Sequence, residues 1–269
     1  DDAGVVHPLA TPRRRVVSTL PGITDLFVAL GATDHLIGRT RYDLGPEVAH
    51  LTSVGGGLDP DLETLTVLEP DLVILWTDTD ARSMAARVRD LGMESYSARV
   101  DDMASFRRHA RQIGRLMGLE AEVDSLLTSV DLTLTQVREQ LDETAKPSVL
   151  YVIGVDPPMV AGPGTFLDSL VTASGGSNVF ADLEVMWPQV SLEAIVQRDP
   201  DYLVVSVQQG SSPPLSARRD GWAQVGAVRE GRVIEVDPNT FNRPGPHVGS
   251  AALSLARALH PDRGVTVRH

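Results

Sequence analysis

Apolar positions along this chain fall into short runs that alternate with stretches of helical spacing. From Arg15 the run RVVSTL has β character, ends at Pro21-Gly22, and gives way to a helical pattern in TDLFVALG, closed by Gly31. DLVILW (Asp71 to Trp76) predicts a second strand, and ARSMAARVRDLG (Ala81 to Gly92) predicts a helix with a glycine stop. ESYSA predicts a third short strand, followed by a helix from about Asp102 to Met117. Strand–helix alternation with connections of this size predicts a mostly parallel sheet in an α/β layer architecture. Ahead of Arg13 the chain reads as a loose polar arm, residues 1–12.

The pattern changes after Leu119. EAEVDSLLTSVDLTLTQVREQLDE runs from Glu120 without Gly or Pro, with apolar residues at Val123, Leu126, Leu127, Val130, Leu134, Val137 and Leu141. These positions share one helical face, so one long helix is expected within residues 119–145, stopping before Lys146-Pro147. Alternation then resumes: SVLYVIG, a helix near Thr165 to Ser174, YLVVSV, VIEV, and a last helix from about Val248 to Leu259. The expected organisation is an α/β lobe over 13–118, the long helix, and a second α/β lobe over 146–269.

An internal repeat supports two related lobes. LETLTVLEPDLVI begins at Leu62 and LEAIVQRDPDYLVV begins at Leu192. Without a gap, Leu62, Glu63, Leu65, Pro70 and Asp71 match Leu192, Glu193, Ile195, Pro200 and Asp201. Helix–Pro-Asp–strand units share a common grammar, but the paired Leu-Glu at equal distance from Pro-Asp is more than that grammar requires. Glu63 and Glu193 each fall in a first helical turn, where a carboxylate offsets the helix dipole. Their recurrence suggests a second use, as two like acidic knobs that engage basic pockets on a two-fold symmetric partner.

Charge and composition narrow the function. The 269 residues carry 24 Lys plus Arg against 36 Asp plus Glu, a net charge of −12, which argues against phosphate-backbone binding and so against a nucleic-acid partner. With no cysteine there is no disulfide scaffold, thiol nucleophile or Cys-ligated metal centre. No apolar run approaches the roughly 20 residues needed to span a bilayer. The first residues, DDAGVVHPLATPRRR, lack the features of a signal peptide. Phosphate-loop, dinucleotide, nucleophile-elbow and HExxH motifs are missing, so no catalysis is expected. Asp78-Thr79-Asp80 offers two carboxylates to a hard cation, but such a turn more often caps the next helix. The seven histidines form no local ligand pair, and each is expected in a surface or capping role; only His247 has an informative neighbourhood. Gly55-Gly56-Gly57 reads as a loop where backbone comes close to something. Of the three Trp, Trp76 closes a strand and Trp187 lies on a loop beside a proline, both placed for stacking on a flat ligand, whereas Trp222 reads as core.

At these residues the chain resembles the substrate-binding proteins of type II ABC importers, the receptors for cobalamin, ferric siderophores and haem. The carriers are RVVSTLPGITDLFVALGA, GRTRYDLGPEV, LDPDLETLTVLEPDLVILW, GGSNVFADL, WPQVSLEAIVQRDPDYLVV and NRPGPHVGSAALSLARALHP, in that order. Among these receptors it is most similar to those for cobalamin. The resemblance implies a class III periplasmic binding protein: two Rossmann-like α/β lobes joined by one long helix, with the ligand in a cleft between them. It implies a ligand-binding set of Tyr42, Gly56, Trp76, Met159, Trp187, Asn239, Phe241, Arg243 and His247, and it makes Glu63 and Glu193 docking carboxylates for the permease dimer. It also implies a monomer in the periplasm or anchored outside a membrane, its signal sequence removed from this chain. No cofactor of its own is implied, since cobalamin (vitamin B12) or a related corrinoid brings its own cobalt. Two departures stand out: SVGGG (Ser53 to Gly57) and Thr240 each fall where a cobalamin receptor has a Trp. His247 replaces a common Arg, and Tyr42 with His247 can be read as axial ligands to haem iron. Ferric siderophore or haem is therefore the alternative ligand, and an enzyme acting on a small substrate between the lobes the third reading.

Overall fold

The computed structural model describes residues 1–77, 84–141, 145–207 and 221–267. It divides into two compact units, one of Asp1–Thr128 with Pro244–Pro246, the other of Ser129–Arg243 with His247–His269. The first is built on five parallel strands, β1 (Val16–Ser18), β2 (Leu36–Arg39), β3 (Thr52–Ser53), β4 (Leu72–Trp76) and β5 (Ser95–Ala98), in the order β3-β2-β1-β4-β5. Around them lie α1 (Pro21–Ala29), α2 (Leu62–Leu68), α3 (Met84–Asp90), α4 (Met103–Met117) and the start of α5 (Glu120–Leu141). β1 and β4 read as apolar runs because both of their faces are covered. Val16, Leu72 and Ile74 pack with α1, α4 and α5 on one side, whereas Val17, Val73 and Leu75 pack with α2 and α3 on the other.

One boundary in this unit moves and one expectation is corrected. The β run gives way to a helix as expected, but α1 takes in Pro21-Gly22 and opens on the proline, which lacks the amide that a first helical residue leaves unused. A Cβ on Gly22 would stand 2.4 Å from the Pro244 carbonyl oxygen, so glycine is required by close approach rather than by a turn. The arm over 1–12 is not loose. It lies along the edge strand β5, where Asp2 donates its amide to the Ser97 carbonyl (2.9 Å) and the Asp1 and Asp2 carboxylates accept from the Ser97 and Arg99 amides (3.0 and 2.8 Å). Side-chain carboxylates thus satisfy an edge that another strand would otherwise pair with.

The second unit holds β6 (Ser148–Val155), β7 (Pro158–Val160), β8 (Ser177–Asn178), β9 (Tyr202–Ser206) and β10 (Val233–Val236), ordered β10-β9-β6-β7 with β8 also on β6. β7 runs antiparallel to β6 and the other pairs are parallel. Sequence periodicity gives no sign of β2, β3, β7 or β8, which are too short or too rich in Gly and Pro to show alternation. The helices are α6 (Phe166–Ala173), α7 (Leu192–Arg198), the single turns α8 (Gly226–Arg229) and α9 (Pro238–Phe241), and α10 (Val248–Leu259). Trp222 is fully buried in a cluster with Leu150, Leu203 and Ile195.

Along α5, all seven apolar positions of the predicted face are turned from solvent to some degree. Val123 and Leu127 join the core of the first unit, and Val137 and Leu141 pack with Ala256 and Val265 of the second. The repeat is visible in atomic detail. Asp61 caps α2 by accepting from the Glu63 and Thr64 amides, and Ser191 caps α7 by accepting from Ala194. Both helices end on a left-handed acidic residue, Glu69 (φ 47°) and Asp199 (φ 43°). The carboxylate of Asp71 then accepts from the Arg14 and Arg15 amides just before β1, as that of Asp201 accepts from the Ser148 amide at the start of β6.

Three histidines expected on the surface or at caps are buried, and of these His260 takes the cap position after α10. His109 is completely buried, with Nδ1 at 2.8 Å from the Tyr96 hydroxyl and Nε2 at 2.8 Å from the Asp2 carboxylate. His35 faces the Arg13 carbonyl and the Arg14 guanidinium, and His260 faces the Gly175 carbonyl. Only the folded chain brings these distant partners into reach.

Candidate ligand-binding residues

In the first unit the candidates gather at the carboxyl ends of parallel strands, the edge where open α/β sheets hold ligands. β2 runs into a turn, Thr40–Asp43, closed by the Asp43 amide on the Thr40 carbonyl. The buried Asp43 carboxylate accepts from the amide and the hydroxyl of Thr40, each at 2.7 Å. This holds Arg41 and Tyr42 at the exposed tip, with Tyr42 50% accessible. The Arg41 guanidinium lies 5.3 Å from the centroid of the Tyr42 ring, and its Nη2 is 3.6 Å from Asp59 Oδ1. A hydrogen bond with Tyr42, then the charges of Tyr42 and Asp59, push the Arg41 pKa above its ordinary value.

Gly56 belongs to the same cluster. A Cβ there would lie 1.9 Å from Asp59 Oδ1 and 2.9 Å from Arg41 Nη2. The close approach inferred from the glycine run is therefore internal, leaving room for the Arg41–Asp59 pair. The Arg41 amide donates to the Gly55 carbonyl at 2.8 Å, tying the loop to the turn. Trp76 is different: it is the last residue of β4, half-buried and packed against the core of its unit.

In the second unit, Met159 of β7 bridges Gln189, and the Val160 amide donates to the Pro188 carbonyl at 3.1 Å. The segment carrying Trp187 is thereby laid beside β7. Trp187 is 45% accessible, and its neighbours Val185 and Met186 are exposed as well. Gly162 admits this segment: its amide donates to the Met186 carbonyl, and a Cβ on it would stand 2.2 Å from the Val185 oxygen. Elsewhere, Asp237 caps α9 through the Asn239 amide, and Arg243 donates to Asn239 Oδ1 at 2.6 Å. Phe241 is buried at 7% accessibility. His247 precedes α10 with its side chain exposed and making no cap bond, while its carbonyl accepts from the Ser250 hydroxyl.

The structure thus brings the turn that carries Tyr42 to the loop of Gly56 through Arg41, Met159 to the Trp187 segment, and Asn239 to Arg243, each within one unit. Glu63 and Glu193 are both exposed in first helical turns. Glu193 bonds its own amide and then the Ser191 hydroxyl, and these lower its pKa. Sequence reasoning passed over Arg41, Val185, Met186 and Asn242. For Val185 and Met186 a signal existed, since three successive apolar residues in a loop are unusual in a chain this polar. Asp78-Thr79-Asp80 lies outside the described residues; among those described, no group of three or more His, Asp and Glu is placed to hold a metal ion. No helix among them is long and apolar enough to cross a membrane.

Comparison with known proteins places these observations in a family. The profile of the Periplasmic binding protein family matches residues 16–240. An ABC transporter substrate-binding lipoprotein of Bacillus subtilis, YvrC, is 29% identical over 258 residues, covering 93% of this chain and 81% of the relative. The vitamin B12-binding protein of Salmonella typhimurium is 27% identical over 249 residues, covering 91% and 90%. Among solved structures, the periplasmic heme-binding protein RhuT from Roseiflexus superposes with a TM-score of 0.81 at 25% identity, covering 93% of this chain and 99% of that one. With its two α/β units and a family match that runs from β1 to α9, this chain belongs to the periplasmic binding protein family.

Proposed function

We propose that this protein is an extracytoplasmic receptor that captures cobalamin or a related corrinoid and delivers it to an ABC importer. The observation that carries the choice is the near full-length similarity to a vitamin B12-binding protein. The exposed flat ring of Trp187 and the half-buried, flexible side chain of Met159, carried on adjoining segments, suit a large planar macrocycle held by stacking and shape. The cobalt comes within the cargo. ATP hydrolysis falls to the importer, and this chain performs no catalysis. Glu63 and Glu193 are the docking points for a two-fold permease, and the receptor works as a monomer.

Haem is the second reading, favoured by the similarity to the Roseiflexus protein and by Arg41, a fixed cation suited to an acidic edge. Titration of the purified protein with cyanocobalamin and, separately, with haemin decides between them, read by tryptophan quenching and by the visible band that co-elutes on gel filtration. Retained corrinoid supports the first reading and retained haem alone the second. Retention of neither sinks both.

A further inference from the structure

Asn242 sits between two residues assigned to the ligand, and its side chain turns toward the sheet. Its Oδ1 accepts from the Tyr151 hydroxyl at 2.8 Å and from the Ser206 hydroxyl at 2.7 Å. Tyr151 belongs to β6 and Ser206 ends β9, the two central strands of the second unit. Both lone pairs of one amide oxygen are thus occupied by hydroxyls from adjacent strands. Burial raises the Tyr151 pKa well above its ordinary value, so its hydroxyl keeps its proton. On one side of Asn242 the Phe241 ring is buried, and on the other Arg243 reaches back to Asn239 Oδ1. The backbone between is short: the Phe241 amide bonds the Asp237 carbonyl and the Asn242 amide bonds that of Pro238, a single turn too short to be stable alone.

We propose that Asn242 is a positioning residue of the ligand site, whose amide oxygen, held by Tyr151 and Ser206, fixes the turn that presents Asn239 and Arg243. The inference rests on the reading that Asn239 and Arg243 meet the ligand. A sequence motif ending in Arg-Pro-Gly-Pro draws attention to the arginine; the structure assigns the orienting task to the residue before it. A side chain at 242 without an acceptor would leave the Tyr151 and Ser206 hydroxyls only the long 3.5 Å bond to each other and let the turn rotate.

The test uses the full chain with Asn242→Leu, which removes the acceptor at similar size, and Asn242→Asp, which keeps it. Hydrogen exchange is measured over the peptide containing 239–243 and over β9 and α10, and affinity is measured for whichever of cyanocobalamin and haemin the parent binds. Asn242→Leu is expected to speed exchange over 239–243 about tenfold while β9 and α10 stay protected, and to weaken binding about tenfold. Asn242→Asp is expected to stay within about threefold of the parent on both measures. The proposal is overturned if Asn242→Leu leaves exchange unchanged, if exchange rises throughout the unit, or if Asn242→Asp behaves like Asn242→Leu. Should the parent bind neither compound, the ligand reading fails, and the exchange measurements still decide the role of Asn242.

Discussion

Trp187 and Trp76 differ in what surrounds them, and so in what their removal should do. Trp187 stands exposed beside Val185 and Met186, outside the buried core of its unit. Trp187→Ala is expected to leave the thermal midpoint nearly unchanged and to weaken ligand binding by about 1–2 kcal/mol, about tenfold in Kd. Trp76 packs against the core of its own unit, so Trp76→Ala is expected to lower stability by about 2–3 kcal/mol, read by urea unfolding. Before folding, the two residues look alike, both at the end of an apolar run in a chain poor in aromatics. Strand register is what separates them, because β4 continues through Trp76 whereas Trp187 lies on an irregular segment whose neighbours Met186 and Pro188 accept backbone hydrogen bonds. Glu63 and Glu193 are equally exposed, and charge reversal of both to Lys is expected to abolish uptake while leaving ligand affinity intact. Uptake that survives the double reversal would reduce both to helix-dipole partners.

At the scale of elements, the repeat is a device for starting strands as much as for ending helices. Asp71 and Asp201 sit at matching positions, and each satisfies backbone amides where the first strand of its unit begins. Replacing either by Ala leaves those amides without their partner. Each substitution is expected to cost about 1–3 kcal/mol in urea unfolding, with the loss confined to the unit that carries it. The cap Ser191 is a smaller contributor, and Ser191→Ala is expected to cost about 1 kcal/mol. The matched Pro-Asp was visible in the sequence and indicated kinship between the halves. Its physical purpose was not, since the amides served by Asp71 lie more than fifty residues away in the chain.

Across the whole molecule the pH dependence of stability has a worked sign. Asp102 is held below its ordinary pKa chiefly by the Ser105 amide, and Asp2 by the Arg99 amide and by His109 and Arg108, which together outweigh burial. A carboxylate with a depressed folded pKa contributes stability above its unfolded value and loses it as pH falls through the folded one. His109 shifts the same way: burial lowers it from 6.5, more than the attraction of Asp2 raises it. Its neutral form belongs to the folded state, so stability begins to fall as pH drops below about 6.5 and falls again in the carboxylate range. The thermal midpoint followed from pH 8 to pH 3 should show both declines, and His109→Gln should remove the first. The net charge of −12 adds self-repulsion that acid titration relieves, which opposes the carboxylate decline without changing its place.

The sequence by itself determined the architecture: α/β alternation, a long apolar helical stripe from Val123 to Leu141, and two halves related through Leu62–Asp71 and Leu192–Asp201. These are local and periodic signals, set by side-chain spacing within one element or one supersecondary unit. It also named residues worth watching, through loop tryptophans and a glycine run. What only the tertiary structure decided depends on groups far apart in the chain. The arm became a cover for β5, His109 became a buried partner of Asp2, and Gly56 became the space that admits Arg41 and Asp59. Asn242, unmarked in the sequence, acquired its place from Tyr151 and Ser206, because a hydrogen bond between distant residues leaves no period in the chain that forms it.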